Sequence, residues 1–305
     1  MCYTDGGSNT YRCCGTAGRA YKDSCNRYSC NSTQFISKIA ETLGKKVTVT
    51  VLYYGGCTLE QHVNFYNNNS SVYRFYTDGV MDYGSYKTMK DAFNADDYDY
   101  VTLHQGTSTA AVFDTYWTEE KPWLTDLYSI IQEHEPQAKV MINQTWSFCE
   151  TCVTEPRDIW PEPYEYSVGM FKDIEANYEK AADMLGLNKE TDIIPVGKAV
   201  QLAKDEYGFG DFHVAESTSG LTDAQLCANG CLYTDNIHHL NIRGRYIAGC
   251  VWLEKIFGLD CREATFYPEG VLTAEECVIL RNIAHETVTG EKAYIEGDWR
   301  VLPDG

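Results

Sequence analysis

The chain has 305 residues, of which 44% are apolar, 13% aromatic and 23% charged, enough for a full hydrophobic core in one large or two small domains. Its 25 basic and 44 acidic residues give a net charge of −19, which repels phosphate backbones and argues against a nucleic-acid partner. No run of about 18 apolar residues occurs, so neither a transmembrane helix nor a membrane partner is expected. The opening MCYTDGGSNTYRCC lacks the basic-then-apolar pattern of a signal peptide, and as written the chain reads as a soluble cytoplasmic protein.

In chain order, five of the 13 cysteines (Cys2, Cys13, Cys14, Cys25, Cys30) crowd the first 30 residues, where no regular pattern is legible. Phe35, Ile36, Ile39, Ala40 and Leu43 then fall at helical spacing, and Gly44 stops the helix. Residues 46–53 (KVTVTVLY) are β-branched and predict a strand. Residues 98–103 (YDYVTL) predict a second strand, 138–143 (AKVMIN) a third and 193–196 (IIPV) a short fourth. Between the third and fourth, Met170, Ile174, Tyr178, Ala181 and Leu185 share one face of an amphipathic helix. A last helix is predicted over 242–257, carrying Tyr246, Ile247, Cys250, Val251 and Ile256. Strands alternating with helices imply a parallel sheet covered on both faces. No linker, repeat or low-complexity tract divides the chain, so one domain is expected.

Two further cysteine pairs, Cys149 with Cys152 and Cys227 with Cys231, have the local spacing of a four-thiolate zinc site. No ribbon pattern connects them, so separate local disulfides or plain buried thiols are the favoured reading.

Ligands of such a sheet bind at the carboxyl ends of its strands. The first of those ends carries Gly55-Gly56-Cys57-Thr58 with His62 close behind, either an ordinary tight turn or one that aims a backbone N–H into a crevice. The second carries His104-Gln105-Gly106 and the third Gln144-Thr145-Trp146, so three successive tips suggest a shared pocket. Near the C-terminal end, Asp235-Asn236-Ile237-His238-His239-Leu240-Asn241 leads into a helix. An Asp three residues before a His can orient an imidazole and stabilise its protonated form, the base half of a serine-hydrolase triad. The alternatives are a solvated loop histidine or a metal ligand, although adjacent side chains diverge and no carboxylate cluster accompanies them.

Taken in order over residues 25–265, the segments LYYGGCTLEQH, YDYVTLHQGTS, NQTWSF, IIPVGKAVQLAK and DNIHHLNIRGRYIAG resemble the SGNH/GDSL hydrolase superfamily, and within it a bacterial DUF4886-like branch. The resemblance implies a three-layer α/β/α sandwich with a flavodoxin-like parallel sheet. It also implies serine ester hydrolysis with no metal and no cofactor, on a small-molecule or carbohydrate ester. Gly56 and Gln105 would then form the oxyanion hole, and the D-x-x-H block would supply the base. The family's H-L-N-x-x-G pattern is met by His239, Leu240, Asn241 and Gly244, which favours His239, whereas Asp235 is spaced for His238. Three residues before His239 stands the neutral Asn236, so both histidines stand as candidates.

The resemblance fails at the nucleophile. The family opens with a buried apolar strand ending in G-N-S-[FY]-S, whose first Ser attacks. Here Cys25-Asn26-Arg27-Tyr28-Ser29 occupies that motif, preceded by Ala20-Tyr21-Lys22-Asp23-Ser24, which is no apolar strand. Arg27 takes the nucleophile position and cannot attack a carbonyl. Ser29 is two residues further on, about 6 Å away along extended chain. Codons that spell Tyr21–Arg27, read one nucleotide later, give I-R-I-L-A-I-G, the apolar strand and first Gly of the family. Residues 1–27 are therefore read as an atypical, frameshifted opening in front of a single hydrolase domain over 28–305, and the first strand is expected to be missing or garbled. A leader lost upstream of that junction would make the protein secreted or periplasmic. The source DNA across codons 1–30 is expected to show the shifted frame, and a conventional reading through codon 27 would end the idea. Two other classes compete. One is a pseudoenzyme that binds a carbohydrate or small ligand without turning it over. The other is a nucleotide- or flavin-binding flavodoxin-like module, disfavoured because no Gly-rich phosphate loop of recognised spacing occurs.

Overall fold

The computed structural model describes residues 33–82, 84–154, 162–210, 222–227, 230–234 and 238–292, together with the backbone of 10–17. Seven strands form one sheet: β1 (Thr10–Ala17), β2 (Lys46–Tyr53), β3 (Arg74–Thr77), β4 (Val80–Met81), β5 (Tyr100–Leu103), β6 (Lys139–Asn143) and β7 (Ile193–Ile194). Their order is β4-β3-β2-β1-β5-β6-β7. The stretch β2-β1-β5-β6-β7 is parallel throughout and has flavodoxin-like strand order. The α/β/α architecture expected from the sequence is the architecture found.

Two differences concern the sheet. Beyond β2 the strands β3 and β4 add an antiparallel hairpin, with Thr50 opposite Thr77 and Tyr53 opposite Arg74. That hairpin escapes prediction because four- and two-residue strands are too short to show a period. The second is β1. The first strand is present, but it is Thr10–Ala17 rather than the Ala20–Ser24 region to which motif alignment points. It pairs with β2 from Thr10↔Lys46 to Ala17↔Tyr53 and with β5 through Gly15↔Thr102. A gap there would leave the facing backbone groups of β2 and β5 without partners in the middle of the protein, and burying an unpaired N–H or C=O is costly.

Buried Val47, Val49 and Val51 of β2, Val101 and Leu103 of β5, and Val140, Met141 and Ile142 of β6 form the middle of the core. One face is covered by the helices Ile36–Thr42, Val196–Asp205 and Ile242–Phe257, the other by Leu59–Asn67, Trp123–His134 and Ser167–Leu185. The Ile242–Phe257 helix is not the last one. Ala274–Thr289 follows and packs on its outer side. This extra layer explains why Ile242–Phe257 is buried almost all round, Arg243, Arg245 and Glu254 included. Its signals were in the sequence: Thr273 accepts the Glu276 N–H at 3.1 Å as an N-cap, and Cys277, Leu280, Ile283 and Ala284 recur at helical spacing on the buried side. Among the described residues no helix is long and apolar enough to cross a membrane.

Candidate active site

In this strand order the direction of chain progression reverses between β1 and β5, and the crevice outside the carboxyl ends of those strands is where such sheets bind ligands. Arg27, Ser29 and Asp235 lie outside the described residues. Gly56, Gln105, His238 and His239 can be located.

Beside β1, β2 ends in a turn closed by the Cys57 N–H donating to the Tyr54 carbonyl at 3.2 Å, with Gly56 at φ +67°. Thr58 and Gln61 then cap the Leu59–Asn67 helix reciprocally. Cys57 itself is buried, and burial pushes its thiol up, so it is no thiolate nucleophile. On the other side of β1, Gln105 at the tip of β5 is fully buried. Its Oε1 accepts the Leu59 N–H at 3.0 Å and the Gly106 N–H at 2.9 Å, which fixes the orientation of the amide. Its Nε2 donates to the Thr115 carbonyl at 2.8 Å and to Thr115 Oγ1 at 3.1 Å. Gln105 thus holds the turn after β2 against β5, and both of its amide protons go to Thr115 rather than toward the crevice. Gly106 completes the junction: a Cβ there would lie 2.8 Å from the Cys57 carbonyl oxygen, so only glycine admits so close an approach.

Tyr178, from the middle of the Ser167–Leu185 helix, links β5 to β6. It accepts the Gln105 N–H at 3.2 Å and is surrounded by Thr145 and Tyr116, and burial holds its hydroxyl protonated with a pKa pushed up to about 12. Periodicity alone marks Tyr178 as a core residue and does not reveal that its hydroxyl ties two strand tips together. Next along the rim, Gln144 Oε1 accepts the Lys198 N–H at 2.9 Å, and its carbonyl accepts the Gly197 N–H at 3.2 Å. The start of the Val196–Asp205 helix is thereby fastened to the tip of β6.

The histidine loop rests on this β6 tip. Trp146 Nε1 donates to the His238 carbonyl at 2.6 Å, and the Phe148 ring stacks on the His238 imidazole at 4.5 Å. The His238 and His239 rings lie 4.3 Å apart. The loop is closed at its base by the bridge between Tyr233 and Leu240 and by Thr234 N–H donating to the His239 carbonyl at 2.6 Å. Immediately after it, buried Asn241 caps the Ile242–Phe257 helix by accepting from Arg243 N–H at 3.0 Å and Gly244 N–H at 3.2 Å. Asn241 Nδ2 donates to the Cys231 carbonyl at 2.7 Å, and Arg243 donates to the carbonyls of Cys231 and Cys227 while pairing with Glu276. The Cys227–Cys231 segment is therefore held by a buried cation.

Other histidines on or near the tips are unsuited to act as a base. His104 is buried and its pKa is lowered to about 4 by desolvation. His62, held 2.7 Å from the Tyr73 hydroxyl, is lowered to about 3 by burial and by neighbouring His104. Both are neutral near pH 7 and too weakly basic to take a proton efficiently. Ser167 receives the Lys204 ammonium proton at 2.5 Å but is fully buried and donates to Glu150, the arrangement of a helix start rather than of an exposed nucleophile. As for the paired cysteines, Cys149, Cys152, Cys227 and Cys231 are all buried, and among the described residues no three of them come close enough to share an ion.

The sequence matches the family model DUF4886, a domain of unknown function, over residues 24–287, a match that starts beyond β1. No curated protein matches it. Among solved structures it is similar to a DUF4886 family protein from Bacteroides uniformis, with 23% identity over 93% of this chain and 96% of that one and a TM-score of 0.67. It is also similar to a proposed SGNH hydrolase from Slackia heliotrinireducens, at 15% identity over 80% of this chain and 98% of that one, TM-score 0.43. A third is a proposed GDSL-like lipase from Parabacteroides merdae, at 11% identity over 83% and 97%, TM-score 0.43. The Bacteroides likeness speaks to fold, and the family match covers most of the chain: this protein is a member of the DUF4886 family.

Proposed function

We propose that this chain derives from an SGNH-type serine ester hydrolase acting on small esters, acetylated carbohydrate included. The observation that carries the reading is the continuous rim at the carboxyl ends of the parallel strands. The Gly56 turn meets the β5 tip where the Cys57 carbonyl packs on Gly106, Gln105 reaches the β6 tip through Tyr178, and the β6 tip carries the histidine loop. In a competent form a Ser at the end of the first strand attacks the ester carbonyl. His239, or His238 beside it, takes the Ser proton and returns it to the leaving alcohol, and Asp235 orients the imidazole. The Gly56 N–H, which makes no hydrogen bond among the described residues, serves as an oxyanion donor. Gln105, the second expected donor, contributes by fixing the Gly56 turn. Water then attacks the acyl-enzyme through the same His. Trp146 and half-buried Tyr54 supply aromatic surface next to the rim, which suits a sugar face.

Arg27 at the nucleophile position favours a second reading, a protein that binds the ligand without cleaving it. Turnover of p-nitrophenyl acetate separates the two. The chain as written is expected to show little turnover, since losing a triad nucleophile leaves only residual catalysis. The Cys25→Gly, Arg27→Ser version tests the alignment directly. A second version, with Tyr21–Arg27 replaced by I-R-I-L-A-I-G-N-S, also supplies the apolar strand that the family motif has directly before its nucleophile. Gain of turnover in either supports a damaged hydrolase. No gain in both, with retained binding of an acetylated sugar, supports the ligand-binding protein, and no gain with no binding sinks both readings.

A further inference from the structure

The opposite end of the Ile242–Phe257 helix carries a second constellation that ester hydrolysis does not use. Glu254 in its last turn, Asp260 just beyond it and His285 on the Ala274–Thr289 helix each offer a ligand atom, and these atoms all lie within 4.8 Å of one another. Glu254 and His285 are buried, while Asp260 is one-third exposed and leaves the group open to solvent. His285 Nδ1 is 3.0 Å from Glu254 Oε2 and 3.7 Å from Asp260 Oδ1. Ligands about 2.0–2.2 Å from one zinc ion stand roughly 3.0–3.6 Å from each other, so the two separations from His285 Nδ1 are close to the spacing that a shared ion imposes, and the third is within 4.8 Å.

The surroundings are those of an oriented ligand set. Glu254 Oε1 accepts the Cys261 N–H at 3.0 Å, which turns Oε2 toward the imidazole. Asp260 is gripped by Arg262, whose Nε donates to Oδ1 at 2.9 Å and whose Nη2 donates to Oδ2 at 2.5 Å. On the far side of the ring, His285 Nε2 is buried without a hydrogen bond, 3.5 Å from Glu291 Oε2. A neutral imidazole with its proton on Nδ1 would turn a bare lone pair of Nε2 toward that carboxylate. With a metal on Nδ1, the proton moves to Nε2 and points at Glu291, the carboxylate–histidine–metal relay found at metal sites. Both helices also end here, so their negative dipole ends favour a cation.

We propose that Glu254, Asp260 and His285 bind a zinc-class divalent cation, with Glu291 as the outer carboxylate. One imidazole with two carboxylates suits zinc better than magnesium or calcium, which prefer all-oxygen shells. The site lies about 18 Å along the helix from its N-terminal histidine loop, so it ties the outermost helix to the core and stands apart from the crevice.

The test is zinc titration of the full chain after chelator treatment, read by calorimetry and by thermal melting. One ion per chain with a raised Tm is expected. Asp260→Asn, a substitution that keeps the side-chain shape and the acceptor for the Arg262 N–H, is expected to weaken binding at least tenfold while lowering the metal-free Tm only slightly through loss of the partly exposed Arg262 ion pair. Glu291→Gln is expected to weaken it by about tenfold. Cobalt substitution should give the spectrum of nitrogen and oxygen ligands without a thiolate charge-transfer band. Absence of any zinc-dependent shift, undiminished affinity in Asp260→Asn, or a thiolate band would each overturn the assignment, the last by moving the ion to the cysteines.

Discussion

Replacing His239 by Ala in the chain carrying I-R-I-L-A-I-G-N-S in place of Tyr21–Arg27 is expected to lower kcat for p-nitrophenyl acetate by about 10³–10⁶-fold. The size of the loss follows from the role: without the imidazole, the serine hydroxyl must attack as a neutral nucleophile and the leaving alcohol departs without a proton. His238→Ala is the internal control, and the two substitutions should differ strongly. His238 is stacked on Phe148 and its carbonyl is held by Trp146, so removing its ring loosens the loop rather than the chemistry. A loss confined to His238→Ala would transfer the base to that residue. Near-normal rates in both single variants and in the double variant would remove the triad mechanism.

The second large effect is on stability. Gly197→Ala is expected to cost about 3 kcal/mol or more, at the upper end of what overpacking a core usually costs. The added Cβ would lie 1.9 Å from the Thr145 carbonyl oxygen and 3.1 Å from the Phe171 ring. Neither obstacle is the end of a flexible side chain, so the helix start must back away from β6. That movement also breaks the Gly197 and Lys198 N–H bonds to Gln144. Urea unfolding with the midpoint reduced and the slope unchanged is the expected signature. A loss below about 1 kcal/mol would mean that the junction between β6 and this helix yields more readily than its contacts indicate.

The parallel strands β2, β5 and β6 were legible because KVTVTVLY, YDYVTL and AKVMIN are short segments rich in β-branched and aromatic or apolar residues, the composition of buried strands. The Ile242–Phe257 helix was legible to the residue, because Asn241 is a strong N-cap and Gly258 a left-handed stop. β1 was not, since TYRCCGTA has neither the alternation nor the apolar run of a strand, and its place is set by the neighbours that need it. At the site, glycine tips and the histidine loop could be read locally. The functions of Gln105 and Tyr178 could not, because each depends on a partner across the sheet: Leu59 and Thr115 for the amide, Gln105 for the phenol. The D-x-x-H ambiguity has the same origin, as the register of two adjacent histidines is set by Trp146 and Phe148, about 90 residues away in the chain.

The double wrapping of the Ile242–Phe257 helix has a consequence for the order of assembly. A nascent chain still lacking Ala274–Thr289 has no Arg281 to bond the Tyr246 hydroxyl and no Glu276 to neutralise Arg243, the residue that grips the Cys227–Cys231 segment below the histidine loop. The loop can settle only once the ribosome has released Ala274–Thr289, so this end of the sheet matures late, after the strands that support it.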